Sequence, residues 1–357
     1  MGNLLMRLLF FTFVFALFIG SLIGQSFSLL TFSGLCDASG AVALDQNTFV
    51  VADDETNALY VYRIDQEKPV SVFSLKALGF SIPAEGDIEA GTLFDHRLFW
   101  IGSHGRNQKG KWSPARHQFF AVQASPSEKF WTLERIGNAY SRLVFFLLQD
   151  PRYEAFDISE SVQWGVEKIS QLAPKKNGFN IEGLCSMPHD SSLYIGLRNP
   201  RPKGKALVIP LKNPSSVVSK NAAPQFGNPI LLDLGGLGIR DMVFVPQRNA
   251  ILILAGSHDT KHLFRFYVWS GKENEPASFL PVETAWMEKE DFTPEALIAF
   301  PERDSLLILS DDGNVSRWDA KKRTRCPCKR LSDPHERTFR GVWIYLEKGL
   351  NWRRVLK

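Results

Sequence analysis

The chain has 357 residues, of which 44% are hydrophobic and 22% charged, and its formal net charge is only +4. Basic and acidic side chains are interspersed instead of forming one basic stripe, so we expect no nucleic-acid partner. A chain of this length is long for one ordinary core, whereas a repeat array buries each unit against its neighbours.

Residues 1–26 have the pattern of a targeting segment. Arg7 precedes an apolar run over residues 8–19, and small residues follow at positions 24–26. This order predicts a signal peptide. A retained N-terminal membrane anchor is the alternative, because the run approaches the length that spans a bilayer. Either outcome places residues 27–357 in the periplasm or outside the cell, with the N-terminal segment as the expected membrane attachment if it is retained.

An acidic residue beside a small residue recurs along the chain, followed about a dozen residues later by an apolar strand that ends in small and polar groups. The copies begin at Asp87-Ile88-Glu89-Ala90, Ile181-Glu182-Gly183-Leu184, Ile239-Arg240-Asp241-Met242 and Pro294-Glu295-Ala296-Leu297, with a degraded first copy at Ala38-Ser39-Gly40-Ala41. A repeat of roughly 50 to 60 residues that contains several short strands predicts propeller blades. The expected fold is all-β: a β-propeller of five to six four-stranded blades.

The spacing between the second and third copies leaves about 40 additional residues. An apolar run over 140–148 and a periodic stretch over 159–172 predict a mainly helical insertion at about residues 138–175 that caps one face. A divergent sixth blade is the alternative. Arg340-Gly341-Val342 resembles the opening phrase with arginine in the acidic position, so it would start or close the last blade.

The four cysteines fit an oxidising compartment, where one or two disulfides could form. Cys326 and Cys328 are too closely spaced for the usual paired zinc ligands. The sequence leaves open whether these two form a local staple or make separate bridges to Cys36 and Cys185.

Four segments stand out in fixed order: Ile101-Gly102-Ser103-His104-Gly105-Arg106-Asn107, Asn180-Ile181-Glu182-Gly183-Leu184, Gly196-Leu197-Arg198-Asn199-Pro200 and the segment from Leu232 to Asp241. Together they resemble one bacterial protein family, the domain of unknown function 3616. The resemblance runs from about Cys36 to Gly313 and implies no assigned activity. The Glu-Gly opening of the blades is also distantly similar to calcium-bearing propellers of the gluconolactonase-like and phytase-like types.

Acidic residues at the starts of successive blades are the first candidate site. The first strand of each blade lines the central channel, so these side chains should converge near the axis. Carboxylates held close together repel one another, and hard cations such as Ca²⁺ or Mg²⁺ suit such oxygen-rich rings. The candidate metal ligands are Glu89, Glu182, Asp241 and Glu295. Alternatively, each acid accepts hydrogen bonds from a neighbouring blade or pairs with Arg240 and Arg340.

The ends of the apolar strands supply a second group of candidates. Arginine presents a planar fork that matches phosphate or carboxylate, which makes Arg106, Arg198, Asn199 and Arg240 candidate anion-binding residues. His104 and His258 share a Gly-Ser-His phrase and are candidate bases. In the alternative interpretation, the arginines neutralise blade acids and the histidines tie strands together.

These residues lead to two functional hypotheses. The first is an exported propeller that binds a small anionic ligand or a cell-envelope partner at a channel face lined by acids and arginines. The second is a metal-dependent hydrolase of a small anionic ester, either a phosphoester or a lactone. The sequence contains no Gly-x-Ser-x-Gly nucleophile elbow and does not decide whether the protein is an enzyme.

Overall fold

The computed structural model describes residues 29–345, apart from positions 54, 83–84, 128–129, 189 and 258–262. The expected signal peptide or anchor at residues 1–26 and the candidate base His258 therefore lie outside the described residues. Within the described part, five four-stranded antiparallel sheets form the blades of a propeller, which confirms the predicted fold and fixes the blade number at five. No helix in this part is both long enough and apolar enough to cross a membrane.

The described part begins with strand β1 (Leu29–Ser33) and then forms four blades in sequence, each with its strands in simple order. Blade 1 contains β2 (Gly40–Ala43), β3 (Thr48–Asp53), β4 (Ala58–Arg63) and β5 (Ser71–Ser74). Blade 2 contains β6 (Ile88–Phe94), β7 (Arg97–Gly102), β8 (Phe119–Pro126) and β9 (Trp131–Tyr140). Blade 3 contains β10 (Asn180–Ser186), β11 (Leu193–Asn199), β12 (Ala206–Leu211) and β13 (Ile230–Leu232). Blade 4 contains β14 (Gly238–Val245), β15 (Ala250–Gly256), β16 (Phe264–Trp269) and β17 (Ser278–Leu280).

Blade 5 closes the ring by combining strands from both ends of the described chain. It contains β18 (Pro294–Ala299), β19 (Ser305–Ser310), β22 (Thr338–Tyr345) and, as its outer strand, β1. A hairpin of β20 (Ser316–Asp319) and β21 (Thr324–Pro327) is inserted between β19 and β22. Arg340 therefore lies on β22, the third strand of blade 5. Strand β1 completes this blade by pairing antiparallel with β22.

One disulfide holds this closure together. Cys36, in the loop after β1, is bonded to Cys328, just after β21, across 292 positions of sequence. Cys185 and Cys326 are free thiols. Of the arrangements that the sequence left open, the structure contains a long-range bridge to Cys36 and no bridge to Cys185.

The segment between β9 and β10 is an insertion that belongs to no sheet. It contains two short helices, α1 (Leu143–Leu147) and α2 (Ile158–Val162), and two 3₁₀ turns, Pro151–Tyr153 and Ser170–Leu172. Helical residues make up fewer than half of positions 141–179, so the insertion is less helical than the sequence pattern indicated. Its apolar side chains pack on the core between blades 2 and 3, and this contact orders the segment without long helices. Helices α3 (Pro214–Lys220) and α4 (Ala285–Lys289) connect strands elsewhere.

Packing between blades explains the small residue in the repeated phrase. A Cβ atom added at Gly183 would come within 2.9 Å of Ile239 and 3.0 Å of Met242 on the inner strand of the next blade. The same two side chains fill the space beside Gly196. The missing side chains at Gly183 and Gly196 therefore let blades 3 and 4 pack closely.

Candidate functional site

The inner strands of blades 2 to 5 share a β-bulge at equivalent positions. In blade 2, Ile88 pairs with Gly102 and Ala90 with Ile101, so Glu89 has no partner on the next strand. The corresponding unpaired residues are Glu182 in blade 3, Arg240 in blade 4 and Glu295 in blade 5. A bulge redirects the side chain of its additional residue. Blade 1 keeps a regular register from Gly40 onward.

Three of these bulge residues bring their carboxylates together and form what we call the glutamate cluster: Glu89, Glu182 and Glu295. Each offers an oxygen that lies within 4.8 Å of the others. Glu182 and Glu295 are buried, whereas Glu89 is partly exposed. Three of the four predicted metal ligands therefore meet, and they come from three different blades.

Arginines from blades 3 and 4 contact this cluster. Nη1 of Arg240 lies 3.1 Å from Oε2 of Glu182, and its Nη2 donates a hydrogen bond to Glu295. Oε1 of Glu182 accepts hydrogen bonds from Arg198 Nη1 at 2.7 Å and from Asn180 Nδ2 at 2.6 Å. Arg198 and Arg240 thus both contact Glu182, and Arg240 joins it to Glu295.

Asp241, the fourth predicted ligand, lies outside the glutamate cluster. Its carboxylate accepts one hydrogen bond from the backbone N–H of Met242 and another from Leu297 in blade 5, both at 2.7 Å. Burial raises the pKa of Asp241 well above its ordinary value, although both backbone hydrogen bonds act in the opposite direction. This acid joins neighbouring blades, as the alternative interpretation of the sequence expected.

Burial also controls the protonation of the cluster. It raises the pKa of Glu295 to about 7, with Arg240 opposing the rise and Glu182 adding to it. For Arg240, burial acts to lower the pKa, but Glu182 and Glu295 outweigh it and hold the pKa above its ordinary value. Arg240 therefore stays charged, while Glu295 changes charge near neutral pH.

The residues predicted to bind anions are all engaged by groups of the protein. Arg106 donates to the carbonyls of Gly110, Val162, Gln163 and Glu167, and so fastens the insertion to blade 2. Besides Glu182, Arg198 contacts the carbonyl of Ser257 at 3.3 Å. Asn199 donates to the carbonyls of Pro174 and Lys176, both at 3.3 Å. Their role in anion binding stays a prediction.

His104, a predicted base, is buried beneath the insertion. Its Nδ1 lies 2.9 Å from the carbonyl of Gly102, and burial lowers its pKa to about 4. The ring of His117 lies 5.3 Å away, and burial lowers its pKa as well. Both imidazoles are therefore neutral near pH 7. The base role of His104 and that of His258 stay predictions.

Two polar groups near the cluster are absent from the sequence-based candidates. Asn180 donates to Glu182, and Asp87 pairs with Arg116 at 2.8 Å. Burial raises the pKa of Asp87 to about 6, although Arg116 opposes the rise. Asp87 and Asn180 each stand two positions before the glutamate of their blade, so an alignment of the repeats could have revealed them.

Fold and site together define a five-bladed propeller with a charged cluster, rich in carboxylates, built from inner-strand bulges. The chain belongs to the family described as protein of unknown function DUF3616, whose family model matches residues 133–324, just over half of the chain. This confirms the resemblance, although the matched region begins later than Cys36 and extends slightly beyond Gly313. No significant match is found among curated proteins.

Several solved structures are similar to this chain at low sequence identity. Glutaminyl cyclase of Myxococcus xanthus is 10% identical with a TM-score of 0.42, covering 90% of this chain and 96% of that one. An aldose sugar dehydrogenase of Streptomyces coelicolor is 11% identical with a TM-score of 0.41, covering 89% and 99%. An exo-β-1,3-galactanase of Phanerochaete chrysosporium is 8% identical with a TM-score of 0.47, covering 90% and 64%.

Proposed function

We propose that this protein is a binding protein whose channel site holds a hard divalent cation, Ca²⁺ or Mg²⁺, on Glu89, Glu182 and Glu295. The proposal rests on one observation: each of the three residues offers a carboxylate oxygen, and these three oxygens lie within 4.8 Å of one another. Calcium–oxygen distances of about 2.3 to 2.6 Å allow oxygens on one ion to lie up to about 5 Å apart. The three carboxylates therefore fit around one calcium ion after small adjustments.

The balance of charge supports the same assignment. Arg240 bridges Glu182 and Glu295, and Arg198 contacts Glu182 and also acts to lower the pKa of Glu295. Burial nevertheless keeps the pKa of Glu295 above its ordinary value, because a buried carboxylate is costly to ionise. The raised pKa of Glu295 reflects this cost, because protonation removes the buried negative charge. A cation would compete with that proton.

Glu89 gives the site its access to solvent. It is the partly exposed member of the glutamate cluster and lies on the bulge of blade 2. A cation held here would leave coordination positions for water or for a carboxylate or phosphate of a small anionic ligand. The anionic ligand that the sequence suggested would then bind through the metal, and its binding would not require an arginine.

Hydrolysis of a small anionic ester by the same metal is the second candidate function. The glutamate cluster supplies a place for the metal, but Arg106, Arg198 and Arg240 already contact protein carbonyls or carboxylates. Anion clamps for a transition state would have to break these contacts, which lowers the support for catalysis relative to binding.

An extracytoplasmic location, in the periplasm or outside the cell, is part of the proposal. The bond between Cys36 and Cys328 supports it, because disulfides persist mainly in oxidising compartments. A cell-envelope partner and attachment through residues 1–26 remain compatible with this location.

Substitution of Glu89 tests the cation site. Glu89→Gln removes one charged ligand while keeping the shape of the side chain, and we expect the affinity for Ca²⁺ to fall about 10- to 100-fold. Titration calorimetry on chelator-treated protein measures the affinity, and thermal unfolding measures the stabilisation that bound cation confers. Glu134→Gln is the matched control, because Glu134 is an exposed glutamate on the outer strand of blade 2.

The outcomes separate the two functions. Cation binding that is weakened by Glu89→Gln and retained by Glu134→Gln supports the site. Absence of any heat or stabilisation with either cation in the unsubstituted protein would contradict it. Turnover of phosphoesters or lactones that requires the cation and is lost in Glu89→Gln would replace the binding function with hydrolysis.

A further inference from the structure

The hairpin inserted in blade 5, together with the residues that flank it, has a high density of positive charge. Residues 314–330 contain seven arginines and lysines and a single carboxylate, Asp319, whereas the whole chain has a net charge of only +4. The remainder of the molecule is therefore slightly negative. Asp319 is buried and accepts hydrogen bonds from Lys322 N and from the backbone and hydroxyl of Ser332, at 2.7 to 2.9 Å. It contributes little negative charge to the surface.

An exposed tryptophan lies among these basic residues. Trp318 is 57% exposed, and its cross-strand partner is Arg325, which is also exposed. The turn beyond them presents Lys321, Lys322 and Arg323 to solvent. This ring is more than half exposed and belongs to none of the hydrophobic clusters of the described residues, so packing in the core does not account for it.

The hairpin is held rigidly at its base. Cys328 is bonded to Cys36 and its backbone N–H donates to Val315 at 2.9 Å, while Lys329 N donates to Gly313 at 3.1 Å. β19 ends at Ser310, which pairs with Pro294 at the start of the inner strand, so the hairpin leaves the ring on the side where the inner strands begin. A fixed base presents the charged tip and Trp318 in one orientation, which reduces the entropic cost of binding.

We propose that this hairpin docks on an anionic lipid bilayer. Basic residues near such a surface each contribute about a fivefold gain in binding, and tryptophan favours the boundary between headgroups and acyl chains. The combination of an exposed indole with five exposed basic side chains matches both layers of that boundary. A soluble polyanion would explain the charges but leave the exposed ring without a partner.

Vesicle binding by the full chain tests the proposal. Phosphatidylcholine vesicles measure any attachment through the apolar run at residues 8–19, and vesicles that also contain phosphatidylglycerol add the contribution of charge. The triple substitution Lys321→Gln, Arg323→Gln and Arg325→Gln should lower binding to the anionic vesicles about 100-fold and leave binding to neutral vesicles unchanged. A matched control removes three exposed lysines elsewhere: Lys76→Gln, Lys175→Gln and Lys220→Gln.

A second measurement reports on Trp318 itself. Bromine-labelled anionic lipids should quench part of the tryptophan fluorescence of the unsubstituted protein, and Trp318→Phe should lose that quenching. The proposal is overturned if anionic vesicles bind no better than neutral ones, or if the control triple loses as much binding as the hairpin triple. It is also overturned if an anionic polysaccharide binds through the same basic residues while vesicles show no preference. Thermal unfolding of each variant shows whether the fold is retained.

Discussion

Two buried groups of acids and arginines, one at the propeller axis and one in blade 5, differ in how their charges balance. In blade 5, Asp312 faces two arginines: Arg340 contacts both carboxylate oxygens at 2.7 and 2.8 Å, and Arg317 lies at 3.0 Å. Ser310 also donates to Asp312 at 2.7 Å. At the axis, Arg240 lies 3.1 Å from Oε2 of Glu182 and bonds to Glu295, yet burial still raises the pKa of Glu295 to about 7.

The contrast separates a structural group from a candidate ligand site. Both oxygens of Asp312 are satisfied, and Arg340 also donates to the carbonyls of Glu290 and Asp291, which fastens the loop before β18. The sequence had suggested Arg340 as a partner for the central acids, but the structure places it on Asp312. A carboxylate with complete partners stabilises the fold, whereas a buried carboxylate that is costly to ionise gains from a bound cation.

The largest expected effect comes from removing an arginine in blade 5. Arg340→Leu leaves Asp312 buried with Arg317 as its one arginine, so the free energy of unfolding should fall by about 3 to 5 kcal/mol. Calcium binds the intact glutamate cluster of this variant as it does in the unsubstituted protein, so the difference between the two should be the same with and without Ca²⁺. Urea unfolding with and without Ca²⁺ measures the loss in the free energy of unfolding and its dependence on calcium. Arg325→Leu, on the exposed hairpin, is the control and should change stability by about 0.5 kcal/mol or less.

Removing the arginine at the axis should give a loss that a cation repairs. In chelator, Arg240→Leu should lower the free energy of unfolding by about 3 kcal/mol, because Glu182 and Glu295 lose the charge that they share. Saturating Ca²⁺ should narrow the difference from the unsubstituted protein, because Glu182 and Glu295 without Arg240 should bind the cation more tightly, and a gain in affinity of about 100-fold corresponds to about 2.7 kcal/mol. Equal behaviour of Arg240→Leu and Arg340→Leu in Ca²⁺ would erase the distinction between the two groups.

A smaller effect is expected from pH. The pKa of Glu295 is raised in the folded protein to about 7, above its ordinary value of 4.5. The folded state therefore binds more protons than the unfolded state between these values, and its stability should fall as pH rises from about 5 to 7. In chelator, the difference in pH dependence between the unsubstituted protein and Glu295→Gln should be roughly 1 to 3 kcal/mol over that range. Chemical unfolding at fixed pH steps measures it, and identical profiles would remove the basis for unneutralised charge at the axis.

The repeated phrase determined the propeller, because each copy encodes the same inner strand and the same close contact with the next blade. Gly183 illustrates this, since its missing side chain makes room for Ile239 and Met242. The number of blades depended on a pairing between β1 and β22, more than 300 positions apart in the chain. A pairing over this distance leaves no local pattern in the sequence. Arg340-Gly341-Val342 resembles the start of an inner strand in sequence, although it lies on the third strand of blade 5.

The sequence by itself placed Glu89, Glu182 and Glu295 at equivalent positions of the repeat, because residue type and spacing are local properties. Only the tertiary structure decided which residue of blade 4 joins them. Blade 4 has the same bulge as blades 2, 3 and 5, and Arg240 occupies its bulge position, while Asp241, one residue later, bonds to the backbone of blade 5. Side-chain direction in a strand alternates with each residue, so the residue at the bulge position joins the glutamates and the acid beside it does not.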